Sequence, residues 1–357
     1  MGRGTKMPRL RRPDAIVAVL PLPPLAEQYR IVIKVHELMA LCNRLESSQA
    51  EREAARHRLA AASLARLNAP DPNTFYDDAR FAFNALPALT ACPDQIKQLR
   101  QTILNLAVRG KLVPQDRNDE PASELLKRIA AEKRRLIKEG KTKRQKPLQA
   151  LDPTLVPFEL PTGWSWARFP DLGMFGRGKS KHRPRNDPAL FDGGKHLMIQ
   201  TGDVAQSQGV IDTYTNKYND FGLSQSFKWP KGTLCITIAA NIADSGILGF
   251  DACFPDSIVG FIPASVFENA KYFEYFVRTA KANLLEFAPA TAQKNINLGI
   301  LTQVLIPLPP LAEQRRIVTI VDELMELCDR LEASLTTAET PAAACLRHCS
   351  PRPCRRP

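Results

Sequence analysis

Two stretches of the chain carry apolar residues in a heptad rhythm, and each is close to a copy of the other. Leu20 to Glu46 reads LPLPPLAEQYRIVIKVHELMALCNRLE, and Ile306 to Glu332 reads IPLPPLAEQRRIVTIVDELMELCDRLE, with 20 of 27 positions identical. In each, a proline pair opens a helix where a missing N–H costs nothing, and Glu27 or Glu313 follows to complement the positive helix end. Ile31, Leu38, Leu41 and Leu45 form an apolar seam on the first copy. Ile317, Ile320, Leu324, Leu327 and Leu331 form one on the second, so both helices need something to pack against. The simplest expectation is that the two equivalent seams pack on each other, within one chain or between two. The offset of 286 residues is far too long for a solenoid period and marks two equivalent seats separated by a domain.

Helical periodicity continues to about Leu67, so an unbroken helix from Pro24 would span roughly 65 Å. Prolines and asparagines from Asn68 to Cys92 predict a connection. Pro93 to Val108 predicts a helix with Ile96, Leu99, Ile103, Leu106 and Ala107 on one face. A further helix starts at Ser123 and runs to Gly140. After Pro147 the period changes. Short runs at Trp164 to Phe169, His196 to Gln200, Thr233 to Ala239 and Ile258 to Pro263 predict strands, and Lys271 to Phe287 predicts a helix. The fold class is α+β: long helices of coiled-coil-like spacer character plus one globular α/β domain.

A length of 357 residues allows two or three domains. The boundaries read from the pattern are 1–22, 23–150 (helical, ending in a basic linker), 151–305 (globular), 306–340 (helical) and 341–357, an irregular tail after Pro341. A net charge of +12 favours a polyanionic partner. Lys127 to Lys146 holds ten Lys or Arg against Glu132 and Glu139, with Arg134 and Arg135 at its centre. Such a run suits phosphate contact, which positions a protein on a duplex without reading sequence.

No apolar stretch reaches the length of a membrane span, and eight cysteines without a Cys-x-x-Cys pair fit a reducing cytoplasm. The five histidines show no metal-binding spacing, so no metal site is expected.

Gly173 to Ser180 matches the phosphate-loop pattern G-x-x-x-x-G-K-[ST], which would make Lys179 a nucleotide ligand in a hydrolysing enzyme. Its surroundings argue otherwise. Pro170 lies upstream and His182-Arg183-Pro184-Arg185 follows, where a phosphate loop needs a helix. The preferred reading is a basic loop offering Lys179, Lys181, Arg183 and Arg185 to phosphates or base edges. Amide-bearing loops add Gln200, Asn241, and Gln293, Lys294 and Asn297 as candidate base readers. A third alternative is a coiled-coil scaffold without a nucleic-acid role.

The motif P-L-P-P-L-A-E-Q at Pro21 to Gln28 and Pro307 to Gln314, each followed by a leucine-rich helix, resembles the specificity subunits of bacterial type I restriction-modification systems. LRQTILNLAVRGKLV at Leu99 to Val113, FELPTGWSW at Phe158 to Trp166, FPDSIVGFIP at Phe254 to Pro263 and TAQKNIN at Thr291 to Asn297 resemble the same family. The resemblance implies a non-catalytic subunit whose target-recognition domain, 151–305, reads half of a bipartite DNA site, with long antiparallel helices setting the gap. It implies double-stranded DNA and methyltransferase (M) and restriction (R) subunits as partners, and it allows a second copy of the chain as a further one. S-adenosylmethionine, ATP and Mg2+ belong to those subunits. Residues 1–22 resemble the remnant of a first recognition domain, so the chain resembles a truncated member, which leaves its activity open.

Overall fold

The computed structural model describes residues 21–69, 71, 73–90, 92–140, 156–239, 243–282 and 298–348. The chain divides into two units, Met1–Leu59 and Ala60–Pro357.

The first unit holds Pro21–Pro24 and most of helix α1 (Leu25–Asn68). No glycine or proline interrupts those 44 residues, and Glu27 lies in the first turn as the helix dipole favours. The start is fixed by its own motif: the Gln28 carboxamide donates to the Pro23 carbonyl at 2.8 Å. From Leu25 to Leu45 the large apolar side chains are exposed, including the whole seam of Ile31, Leu38, Leu41 and Leu45.

The second unit begins with the last turns of α1, where Ala60, Leu64 and Leu67 bury against Ala82 and Leu89. Helix α2 (Phe75–Asn84) and a single turn at Leu86–Leu89 occupy the segment that the sequence pattern marks as a connection. Pro87 sits at the start of that single turn, and Phe75, Ala79 and Ala82 supply a short apolar face that the punctuation masks. Helices α3 (Pro93–Val108) and α4 (Ala122–Lys138) follow where expected, with Ile96, Ile103 and Ala107 of the predicted face buried.

The strands are β1 (Ser165–Ala167), β2 (Gly173–Arg177), β3 (His196–Met198), β4 (Val210–Ile211), β5 (Asn216–Tyr218), β6 (Lys228–Trp229), β7 (Leu234–Thr237), β8 (Ser245–Leu248), β9 (Ala252–Cys253), β10 (Ile258–Pro263) and β11 (Ile306–Leu308). Five of them form a sheet in the order β2-β10-β7-β8-β4, four form a second in the order β5-β3-β9-β6, and β1 pairs antiparallel with β11. Helices α5 (Lys271–Ala282) and α6 (Leu311–His348) complete the unit. Its main core gathers Phe169, Phe175, Phe261, Phe273 and Phe276, with Phe169 stacked on Phe175 at 5.1 Å and edge-on to Phe261 at 5.0 Å. Rings offset in this way add to what their buried area supplies.

The second motif copy is built into this core. The Trp164 indole N–H donates to Glu313 Oε2 at 2.9 Å, and the Gln115 carboxamide donates to Oε1 at 3.2 Å. Gln314 donates to the Pro309 carbonyl at 2.9 Å, repeating the Gln28–Pro23 bond five residues apart. Burial raises the Glu313 carboxyl above its ordinary range, with the Trp164 and Gln115 donors pulling the other way. Further along α6, Ile317, Val321 and Cys328 are buried, Arg100 of α3 reaches Asp329 at 2.5 Å and Glu332 at 2.6 Å, and Arg316 pairs with Asp119 at 2.6 Å.

Within this unit, helix α3 packs along the second seam. Heptad spacing states that a helix needs a partner and not which partner. The helix also runs to His348, past Pro341, where the sequence reading ended it. Proline's fixed φ is compatible with a helix at the loss of one hydrogen bond. No helix among the described residues is long and apolar enough to cross a membrane.

Candidate nucleic-acid interface

Strand β2 ends at Arg177 and the chain turns at Gly178, which explains part of the phosphate-loop pattern in another way. A side chain at Gly178 would place its Cβ 2.3 Å from the Pro255 carbonyl oxygen, so the glycine serves a close backbone crossing. The amide of Gly178 donates to the Ile258 carbonyl at 2.8 Å, and that of Lys179 to the Phe254 carbonyl at 3.0 Å. β2 is antiparallel to β10, and the residues after it form a loop with no helix. A phosphate cradle needs a helix N-terminus at this point, so the nucleotide-hydrolysing alternative built on Lys179 is withdrawn.

Of the four cations on this loop, all are exposed, yet they divide into two kinds. Arg183 donates to the carbonyls of Ser180 at 2.6 Å and His182 at 2.8 Å, and Arg185 pairs with Asp256 at 2.5 Å. These arginines shape the loop. Lys179 and Lys181 have no carboxylate partner among the described residues, so their charge faces solvent.

A second loop locks onto the first. The Lys181 amide donates to the Gln225 carbonyl at 3.1 Å, and the Ser226 hydroxyl donates to the Lys179 carbonyl at 2.8 Å. His182 accompanies them, bonded to Asp187 at 2.7 Å and edge-on to Phe221 at 5.4 Å. The Asp187 carboxyl is held below its ordinary range, chiefly by the Ala189 amide and then by His182. Phe221 and Phe227 stand half-exposed on this double loop, and Phe227 leans edge-on against the buried Trp229, itself stacked on Phe254. The double loop thus carries two exposed lysines and two half-exposed aromatic rings, with Gln225 on the same loop as the rings. Such a surface can meet phosphate oxygens with its ammonium groups and base edges or methyl groups with its rings and amide.

Sequence reasoning missed Phe221, Gln225 and Phe227. The available signal was two phenylalanines in a polar stretch without strand alternation, where core burial is not expected.

The remaining candidates lie elsewhere. Gln200 is exposed as the residue before the one-turn helix Thr201–Gln206, and its amide donates to Asp203 at 2.7 Å. On α4, Arg134 bonds the Ala130 carbonyl at 3.3 Å, and Arg135 lies 3.7 Å from Glu139. Lys127 and Arg128 pair with Glu124 and Glu120, so carboxylates from both within and before the basic run offset part of its charge. Asn241, Gln293, Lys294 and Asn297 lie outside the described residues, as do positions 141–146 of the basic run, 1–20 of the proposed remnant and 349–357 of the tail.

Comparison with known proteins adds a family. Residues 161–338 match the model of the type I restriction modification DNA specificity domain. The chain is similar to the type I restriction enzyme EcoAI specificity subunit of Escherichia coli, 31% identical over 90% of this chain and 55% of that protein. It is similar to the EcoEI specificity subunit of Escherichia coli, also 31% identical, over 90% of this chain and 56% of that protein. It thus spans about half the length of these curated relatives. Among solved structures it resembles the HsdS subunit from Thermoanaerobacter tengcongensis at 21% identity and a TM-score of 0.43, covering 94% of this chain and 62% of that one.

Proposed function

Because residues 161–338 place this chain in the type I restriction modification DNA specificity family, we propose that it is a non-catalytic DNA reader which directs partner methyltransferase and restriction subunits to a split site. The double loop carrying Lys179, Lys181, Phe221 and Phe227 supports this reading most directly, since it joins solvent-facing charge to exposed rings on a rigid, hydrogen-bonded frame. Lys179 and Lys181 hold phosphates, Phe221, Gln225 and Phe227 approach base edges, and Arg183 and Arg185 keep the loop in shape. Arg134 and Arg135 on α4 add phosphate contacts. S-adenosylmethionine, ATP and Mg2+ are bound by the partner subunits, the complex works in the cytoplasm, and long helices set the distance between half-sites.

The test uses the full chain and labelled duplexes containing random and candidate split sites, followed by fluorescence anisotropy at several salt concentrations. The logarithm of affinity should fall linearly with the logarithm of salt. Reversing both lysines in Lys179→Glu and Lys181→Glu should weaken binding by roughly 10- to 100-fold and flatten the salt slope by about 2. Binding that ignores salt, or a double variant that binds as wild type does, would remove this loop from the interface.

A further inference from the structure

Phe221 and Phe227 are exposed to nearly the same extent, 46% and 45%, and are supported in different ways. Phe221 lies edge-on to His182, a partly exposed side chain on the basic loop. Phe227 stands at the outer end of a column of rings that reaches into the core. Its ring meets Trp229 edge-on at 5.0 Å, and Trp229 stacks on Phe254 at 5.0 Å with the planes 17° apart. Both inner rings are buried. A Cβ at Gly260 of β10 would lie 2.7 Å from the Trp229 ring and 2.8 Å from that of Phe254, so the strand backbone presses on both and they have nowhere to retreat. The Trp229 indole N–H has no acceptor among the described residues, so packing alone holds that ring.

A single exposed apolar side chain is ordinary. Phe227 differs in being fixed to the solvent-facing lysines. Its neighbour Ser226 donates to the Lys179 carbonyl, and the Gln225 carbonyl accepts from the Lys181 amide. Phosphate contacts at those lysines would therefore bring the ring to the duplex on a frame that cannot yield.

Successive base pairs lie about 3.4 Å apart, which leaves no space for a ring, so a side chain enters only by prising a step open. The cost is lowest at the pyrimidine–purine steps TA and CA/TG, which unstack and kink most easily. A loosely held ring would fold back against the protein, whereas a ring backed by the core makes the DNA give way. Resting on the DNA-binding reading above, we infer that Phe227 is a specificity-determining wedge: it enters one base step of the half-site, kinks the duplex, and so selects a TA or CA/TG step without a hydrogen bond to either base. Phe221, which has no buried backing, meets only the duplex surface.

Selection by the full chain from a duplex library with a random core reads the step, and energy transfer between dyes at the two ends of a selected duplex reads the bend. Wild type should enrich TA or CA/TG at one fixed place in the half-site and shorten the end-to-end distance on binding. Phe227→Ala should keep the flanking base preferences, lose the preference at that step, leave the duplex straight and bind the selected site roughly 10-fold more weakly. Phe227→Met, which keeps an apolar wedge, should retain both step and bend, and so should Phe221→Ala. A mismatch placed at the step is already partly unstacked and should tighten wild-type binding roughly 10-fold while leaving Phe227→Ala unchanged. A straight bound duplex, or a step preference that survives in Phe227→Ala, overturns the wedge and leaves the DNA reading standing. A chain that enriches no sequence overturns both.

Discussion

Replacing Glu313 by alanine should cost the folded chain about 3 kcal/mol, because a buried indole N–H loses its acceptor along with the charge-assisted bonds themselves. The same change at Glu27, in the other copy of the same motif, should stay within about 0.5 kcal/mol, the range of a solvent-exposed substitution. The contrast follows from surroundings alone. Glu313 is nearly inaccessible and takes hydrogen bonds from Trp164 and Gln115, while Glu27 faces solvent on the first helical turn. Gln115 has a second acceptor in the Gly110 carbonyl at 2.7 Å, so most of the penalty falls on Trp164. Glu313→Gln keeps an acceptor oxygen near the indole and should cost only about 1 kcal/mol. Urea unfolding of the three variants, followed by tryptophan fluorescence, measures each value. Equal losses at positions 27 and 313 would contradict the different seats assigned to the two copies.

A gain in stability is expected from Glu274→Gln, and it should depend on pH. Glu274 lies on α5, nearly all of it buried, with Oε1 lacking a hydrogen-bond donor and Arg278 3.7 Å away. Burial, the dominant influence, pushes its carboxyl from the ordinary 4.5 up to about 7, while Arg278 and Ser245 favour the ionised form and Asp322 opposes it. The folded state therefore holds a proton that the unfolded state has released. Stability falls as pH rises from about 4.5 to about 7, and the full penalty stands above that window. A shift of this size corresponds to about 3 kcal/mol. Glu274→Gln should then stabilise the protein by roughly that amount at pH 8 and by little at pH 4.5. Unfolding curves at several pH values read this directly, and a gain independent of pH would show that ionisation of Glu274 is not its source.

Much of the architecture was legible before any coordinates. The heptad spacing and uninterrupted composition of α1, the apolar face of α3, and the runs that became β3, β7 and β10 were all visible, because helices and strands stamp their own periods on a sequence. The connection from Asn68 to Cys92 was misread. Helix α2 is short, and its apolar face gains meaning only where Ala82 and Leu89 meet the end of α1. The basic loop was legible as charge, and its division into shaping arginines and solvent-facing lysines was not. That division depends on where Asp256 and the carbonyls of Ser180 and His182 come to lie.

By itself, the amino-acid order determined that two near-identical helix starts exist, that each carries an apolar seam, and that a strand-rich globular region lies between them. These features rest on local propensity and on spacing along one chain. Only the tertiary structure decided what each seam meets. It seated Glu313 between Trp164 and Gln115, set α3 against α6, and left the matching face of α1 exposed. The physical reason is that periodicity specifies which face is apolar, whereas the partner of that face is chosen by contacts between residues hundreds of positions apart. No local pattern encodes those contacts.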